Sequence, residues 1–440
     1  MGKGDILIIS SRPPAHSAGL GQDIMDSFQK EGYGVDFLTL YGYKGMPENV
    51  MAASKVPFAK RLRKGLEDMH LIDAAIGIKR LIYGMLGKDM NSLPYRDGVY
   101  LMYRDESKPP IDSRLVTDKI KKTYRAVVFL FWQDMLNSLT IRKVYEKLGC
   151  PILIYSPDMA PMTGGCYYFN TCRNFTRGCG SCPVLGAQDA SDVTYRNWKL
   201  KKENYEASDC YFLGNSWMNG FAKASRMFPE SRIVKTGIII DENKFCPGDM
   251  SKSRKILGIP QDKDFVILLR SFTSERKGNS YIAGAIKKFI STLPEKEKRR
   301  VCVISIGVSH FKETYSDLGC DVIHLGFLNA GNLVEAYRAS DVFLSASTDD
   351  AGPSMVNQAL MCSTPVISFA TGCALDVVID GVSGYKTRLR DIEAYAEGLR
   401  RIHSMTQEQR TAMRNDCRRI ALENNSSKAF IETISPLIAR

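Results

Sequence analysis

The sequence predicts an α/β protein of two Rossmann-like units, each a doubly wound parallel sheet, and three observations carry that prediction. At 440 residues the chain is too long for one compact core, so two units of roughly 200 residues each are expected. Apolar strand candidates alternate with helical patterns along the first half, the signature of a parallel sheet covered on both faces. From Asp209 the alternation begins again, and a second unit of the same kind follows.

In chain order, the first strand falls at residues 6–10, an apolar run too short for a signal peptide and without a cleavage-like segment. A helix over about 21–31 and a strand over 34–40 come next. The stretch 45–112 has weak periodicity and reads as helices and loops added to the basic core. A strand at 126–131, a helix at 138–148 and a strand at 151–155 complete the first set. In the second set, strands are expected at 210–214, 233–236, 265–269, 301–306, 322–325, 342–345 and 366–369. Helices lie between them near 280–292, 330–339 and 354–362. Residues 241–258 read as a loop and short helix, and 406–440 reads as helical.

Composition is that of a soluble globular chain, 44% hydrophobic and 25% charged. With no apolar run of about 18 residues, the expectation is a cytosolic protein. A net charge of +12 favours anionic partners: nucleic acid, an anionic membrane face or phosphorylated small molecules. Basic residues do not interleave with aromatics in any compact stretch, which argues against nucleic acid. Between Lys55 and Lys88, basic Lys60, Arg61, Arg63, Lys64, Lys79 and Arg80 are interspersed with apolar Leu62, Leu66, Leu71, Ile76 and Leu81. That pattern suits either a membrane surface or a solvated helix face packed on its own domain.

The most informative block is 345–367, which reads strand, loop, helix and strand. Its polar loop holds Asp349 and Asp350, Ser354 can cap the following helix, and Gln358 lies one turn inside. The amides of Ser354, Met355 and Val356 and the helix dipole would then face an anion. In the first strand-to-helix turn, Gly19 and Gly21 would let backbone amides approach a ligand, or would serve a turn that needs positive φ. A second candidate loop follows the strand near 268 and carries Arg270, Arg276 and Lys277 before Gly278. Asp158, in a turn-rich loop after strand 151–155, is the preferred polar residue of the first unit, with a turn-forming role as the alternative. Cys166, Cys172, Cys179 and Cys182 follow, the last pair as C-x2-C. Four thiolates could hold a structural zinc; reduced buried thiols or a disulfide are the other readings.

These residues resemble the retaining glycosyltransferases of the GT-B fold, family four, whose donor site carries Glu, seven residues and Glu before an Ala-Met-Ala-Cys-Gly-x-Pro-Val segment. Here the pair reads Asp350 and Gln358, followed by Ala359-Leu-Met-Cys362 and Thr364-Pro-Val-Ile367. The resemblance covers nearly the whole chain and is strongest over 277–385 and 158–183. It implies two domains facing a central cleft, with the C-terminal helix returning to the first: 1–212 plus 410–440, and 213–409. Lys277 would bind the nucleotide diphosphate with Arg270 or Arg276 as its partner, and the glycine-rich loop would face the donor. Asp350 would approach sugar hydroxyls and Gln358 the ribose. Asp158, Lys277 and Asp350 form the implied catalytic set.

A subgroup of the family has a Cys-rich loop after His-Asp-Met-x-Pro-x-Thr-Gly-Gly-Cys, where this chain has Pro157 in place of His. No general base is assigned, since the five histidines, His16, His70, His310, His324 and His403, lie elsewhere. The implied activity moves a hexose-type sugar from a UDP- or GDP-sugar to a saccharide or polyprenyl-diphosphate-linked acceptor in cell-surface polysaccharide assembly. It would occur in the cytoplasm or at the inner membrane face, without nucleic acid and without a catalytic cofactor. Because Asp350, Gln358 and Pro157 depart from the common pattern, a non-catalytic nucleotide-sugar-binding scaffold is the alternative.

Overall fold

A computed structural model of the chain describes residues 3–15, 19–55, 105–131, 135–272, 274–307, 312–315 and 317–439. Almost all of the basic amphipathic stretch 55–88 therefore lies outside the described residues, as do His16, His70 and His310.

The first sheet has seven strands: β1 (Asp5–Ser10), β2 (Gly34–Tyr41), β3 (Val50–Ser54), β4 (Ala126–Phe129), β5 (Ile152–Tyr155), β6 (Cys210–Gly214) and β7 (Ile233–Lys235). Their order is β3-β2-β1-β4-β5-β6-β7, and β1 pairs in parallel with both β2 and β4. The second sheet has six: β8 (Phe265–Ser271), β9 (Val301–Gly307), β10 (Asp321–Gly326), β11 (Val342–Ser345), β12 (Val366–Phe369) and β13 (Gly384–Thr387). Its order is β10-β9-β8-β11-β12-β13, and every pairing is parallel. In both sheets the order reverses direction beside the first strand of the set, the point at which loops part and a ligand crevice forms.

Central strands such as Ile6–Ile9 and Val266–Leu269 are buried on both faces, as parallel strands covered by helices must be. Strands β3 and β13 were not expected. Both lie at sheet edges and are only four or five residues long, and β3 falls in the stretch 45–112 that reads as helices and loops in the sequence.

The chain divides into two compact units, Met1–Phe212 with Phe221–Ile233 and Leu437–Arg440, and Leu213–Gly220 with Val234–Pro436. The expected division placed all of 410–440 in the first unit, and the structure corrects this. The helix Gln407–Asn425 buries Met413, Cys417, Ile420 and Ala421 in the second unit's core. Arg418 fixes it there by donating to the carbonyls of Glu242, Phe245 and Met361. Only the last four residues group with the first unit.

Candidate active site

Two loops at the C-terminal edge of the second sheet build the site. Strand β8 ends at Ser271, and a short turn, Glu275–Lys277, leads to Gly278 at φ 76°. A Cβ on Gly278 would lie 2.1 Å from the Ala346 carbonyl oxygen, so both the left-handed backbone and the close approach require glycine. The other loop runs from the end of β11 to the helix Ser354–Met361. The Thr348 amide donates to the Arg276 carbonyl at 2.8 Å, and Arg276 Nη1 donates to the Asp349 carbonyl at 2.8 Å. Arg276 Nη1 also lies 3.4 Å from Asp350 Oδ2, the oxygen that accepts from Lys277 Nζ. The other carboxylate oxygen takes the Gly352 amide at 3.3 Å. Burial acts to raise the Asp350 pKa, but the charges of Lys277 and Arg276 outweigh it and hold the group below its ordinary value.

Between the loops lies a cavity of about 170 Å³, lined among others by Arg270, Phe272, Lys277, Asp350, Ser354 and Met355. Two cations pack on the Phe272 ring, with Arg270 Cζ and Lys277 Nζ each 4.9 Å from its centroid. Asn279 fixes Phe272 by accepting from its amide at 3.4 Å and donating to its carbonyl at 2.6 Å. Arg270 Nη1 lies 3.3 Å from Met355 Sδ, and burial lowers the Arg270 pKa. No side chain caps the helix Ser354–Met361. Two guanidinium or ammonium groups and the positive end of a helix dipole thus border one concave space, an arrangement suited to a multiply charged anion.

The structure sorts the expected residues. It brings Arg270, Lys277, Asp350, Ser354 and Met355 to one cavity, whereas Arg276 laces the two loops together. Ser354 does not cap the helix: the N-cap position falls on Pro353, and Ser354 is the first helical residue. The Val356 amide is spent within the turn, donating to the Pro353 carbonyl at 2.9 Å. Gln358 is buried, and its Oε1 accepts from the Tyr337 hydroxyl at 3.0 Å, so it faces the core here. Sequence reasoning missed Phe272, Asn279 and Tyr337. The signal for the first two was Phe272 beside Arg270 and an Asn following Lys277-Gly278; Tyr337 carried no local signal.

In the first unit, Gly19 sits at φ 92° at the start of the helix Leu20–Lys30. A Cβ on Gly21 would meet the Pro14 carbonyl oxygen at 3.0 Å, so both glycines serve the turn itself. Asp158 is buried, and its Oδ1 accepts from the Ala160 amide at 2.9 Å. Lys201, unsuspected from sequence and fully buried, donates to the carbonyls of Ala160 at 2.8 Å and Thr163 at 2.9 Å. Cys166, Cys172, Cys179 and Cys182 are free thiols that line one small apolar cavity. The Gly164 amide donates to Cys179 Sγ at 3.2 Å, and burial pushes the Cys166 and Cys179 thiols up to about 12. Among the described residues no three His, Cys, Asp or Glu side chains are gathered as a metal site.

Residues 249–420 match a family model described as "Glycosyl transferases group 1", and this segment contains the whole cavity. The chain is 29% identical over 181 residues to a D-inositol 3-phosphate glycosyltransferase of Acidothermus cellulolyticus, covering 39% of this chain and 40% of that protein. A second such enzyme, from Geodermatophilus obscurus, is 25% identical over 179 residues, with 39% of each chain covered. The chain thus spans about two fifths of the length of the curated relatives it matches. Among solved structures, sucrose-phosphate synthase of Thermosynechococcus elongatus aligns at TM-score 0.61 and 15% identity, over 99% of this chain and 98% of that one. HepE of Anabaena, solved in complex with UDP-glucose, aligns at TM-score 0.58 and 14% identity over 99% of each chain. These likenesses show the fold: two parallel-sheet Rossmann-like domains of the GT-B kind.

Proposed function

We propose that the chain is a group 1 glycosyltransferase that takes its sugar from a nucleoside diphosphate sugar and retains the anomeric configuration. The observation that carries this reading is the cavity of the second unit, where Arg270, Lys277 and an uncapped helix N-terminus meet inside the segment matched by the family model. In the reaction, the bond from the anomeric carbon to the diphosphate oxygen breaks and its electron pair stays with the phosphate. The acceptor hydroxyl adds on the same face, and its proton passes to the departing phosphate oxygen. Arg270 and Lys277 offset the charge that builds on that phosphate, an electrostatic effect of about 3 kcal/mol per well-placed donor in related chemistry. No cofactor is needed for such a step.

UDP is the first nucleotide to test, because HepE is solved with UDP-glucose, and GDP is the second. The acceptor is proposed to be a saccharide, polyprenyl-diphosphate-linked, made for the cell surface at the inner membrane face. The net charge of +12 supports an anionic surface as a partner. Among the described residues no helix is long and apolar enough to cross a membrane. The purified protein should turn over or slowly hydrolyse a UDP- or GDP-sugar, with the α-linked sugar giving an α-linked product. Binding without any turnover would replace the enzyme by a nucleotide-sugar-binding scaffold, and no nucleotide binding would end both readings.

A structural zinc in the cysteine loop is a separate proposal: all four thiols line one cavity of about 20 Å³, and an ion would have to draw them into the ligand set that they do not form here. Elemental analysis of protein purified without added metal should find about one zinc per chain. Its absence under reducing conditions rejects the ion.

A further inference from the structure

We propose that Asp350 positions Lys277 and Arg276, a role separate from contact of its carboxylate with a hydroxyl of the donor sugar. The inference rests on the donor reading above and deepens it. Three facts of geometry support it.

Both carboxylate oxygens are already engaged, Oδ2 by Lys277 Nζ and by Arg276 Nη1 at 3.4 Å, and Oδ1 by the Gly352 amide at 3.3 Å. The side chain is short and only 6% exposed, and it lines the cavity wall next to Lys277. The backbone around it is clamped. A Cβ on Gly372 would come within 2.5 Å of the Asp350 carbonyl oxygen, and Asn215 Nδ2 donates to the next carbonyl, that of Ala351.

A carboxylate held this firmly fixes where the ammonium of Lys277 stands. Lysine carries three donors on a flexible four-carbon stem, so without an anchor its charge spreads over many rotamers. With one proton of Nζ directed to Asp350, the remaining donors are confined to the cavity side, beside Phe272. The anchor prepays the ordering of that side chain before the diphosphate arrives.

The two roles make different predictions for a ligand that contains no sugar. Free UDP and GDP are titrated calorimetrically into the full chain as wild type, Asp350→Asn, Lys277→Ala and the double variant, with thermal midpoints recorded for each. Positioning through Lys277 predicts that Asp350→Asn weakens the free diphosphate at least about fivefold, and that adding it to Lys277→Ala costs less than about twofold more. Because Asp350→Asn leaves two half-buried cations short of their partner and can fail to fold, Asp350→Glu is measured beside it. That variant keeps the charge and should hold the affinity within about threefold of wild type. Wild-type affinity in a folded Asp350→Asn, tighter binding, or losses that multiply in the double variant would overturn the inference while leaving the donor reading intact. A wild type that binds neither nucleotide overturns both.

Discussion

Two lysines, one in each unit, show how similar burial serves different ends. Lys201 is fully buried, spends its protons on the Ala160 and Thr163 carbonyls, and lies 3.9 Å from the Glu106 carboxylate. Lys277 is also largely hidden, its side chain 15% exposed, but it answers a single carboxylate and borders a cavity. The first lysine closes a loop on itself; the second leaves donor capacity facing open space. Burial alone does not separate a cation spent on its own fold from one with donors to spare, whereas the remaining donors and the space in front of them do.

The sharpest way to break the comparison is Lys201→Met. It removes the cation beside the Glu106 carboxylate and the donor to two carbonyls inside the first unit, and should lower stability by about 3–5 kcal/mol in a denaturant titration. A loss below about 1 kcal/mol would mean that Lys201 is not the clamp described. Next, Lys277→Ala should reduce turnover of the nucleotide sugar by about 10²-fold or more while far-UV circular dichroism stays that of the folded protein. Wild-type turnover would move Lys277 to the structural side.

Gly278→Ala tests the turn that presents Lys277. With φ at 76° and the Ala346 oxygen 2.1 Å from a new Cβ, thermal unfolding should show a loss of about 1–3 kcal/mol. The smallest effect concerns pH. Because Lys277 and Arg276 hold the Asp350 carboxyl below its ordinary 3.8, its contribution is fully present above about pH 4 and is lost as pH falls through the lowered native value. The stability difference between wild type and Asp350→Asn should therefore shrink on acidification from about pH 6 to about pH 3. A difference that stays constant would show that the charge of Asp350 is not what Lys277 answers.

Much of this was legible in the sequence. Strands β6, β11 and β12 and the helix Ser138–Leu148 fall where the apolar patterns placed them, because a parallel strand buried on both faces writes a continuous apolar run. Lys277 and Asp350 are singled out by resemblance to the family's donor-site motifs, and their meeting follows from neighbouring strands β8 and β11. What stayed hidden depends on contacts distant in sequence. Gln358 reads as a ligand group in the sequence, and no local signal shows that the Tyr337 hydroxyl, on another helix, donates to its Oε1. Lys201 looked like one charge among many on a helix where Lys199 and Lys202 are its neighbours, yet it alone of the three is buried. The allocation of 410–436 followed from which apolar core lay within reach, which no window of residues records.

The early segment 213–220 belongs with the second unit, and this bears on how the protein can be dissected. A fragment begun at Val234 would omit Asn215, the prop beneath the Ala351 carbonyl, and Ser216, whose amide reaches Asp376 at 2.9 Å. Expressed alone, such a half would keep its six-stranded sheet but lose the brace under the loop that borders its cavity. Isolating the second unit therefore calls for splicing residues 213–220 back on through a linker, not for a simple cut.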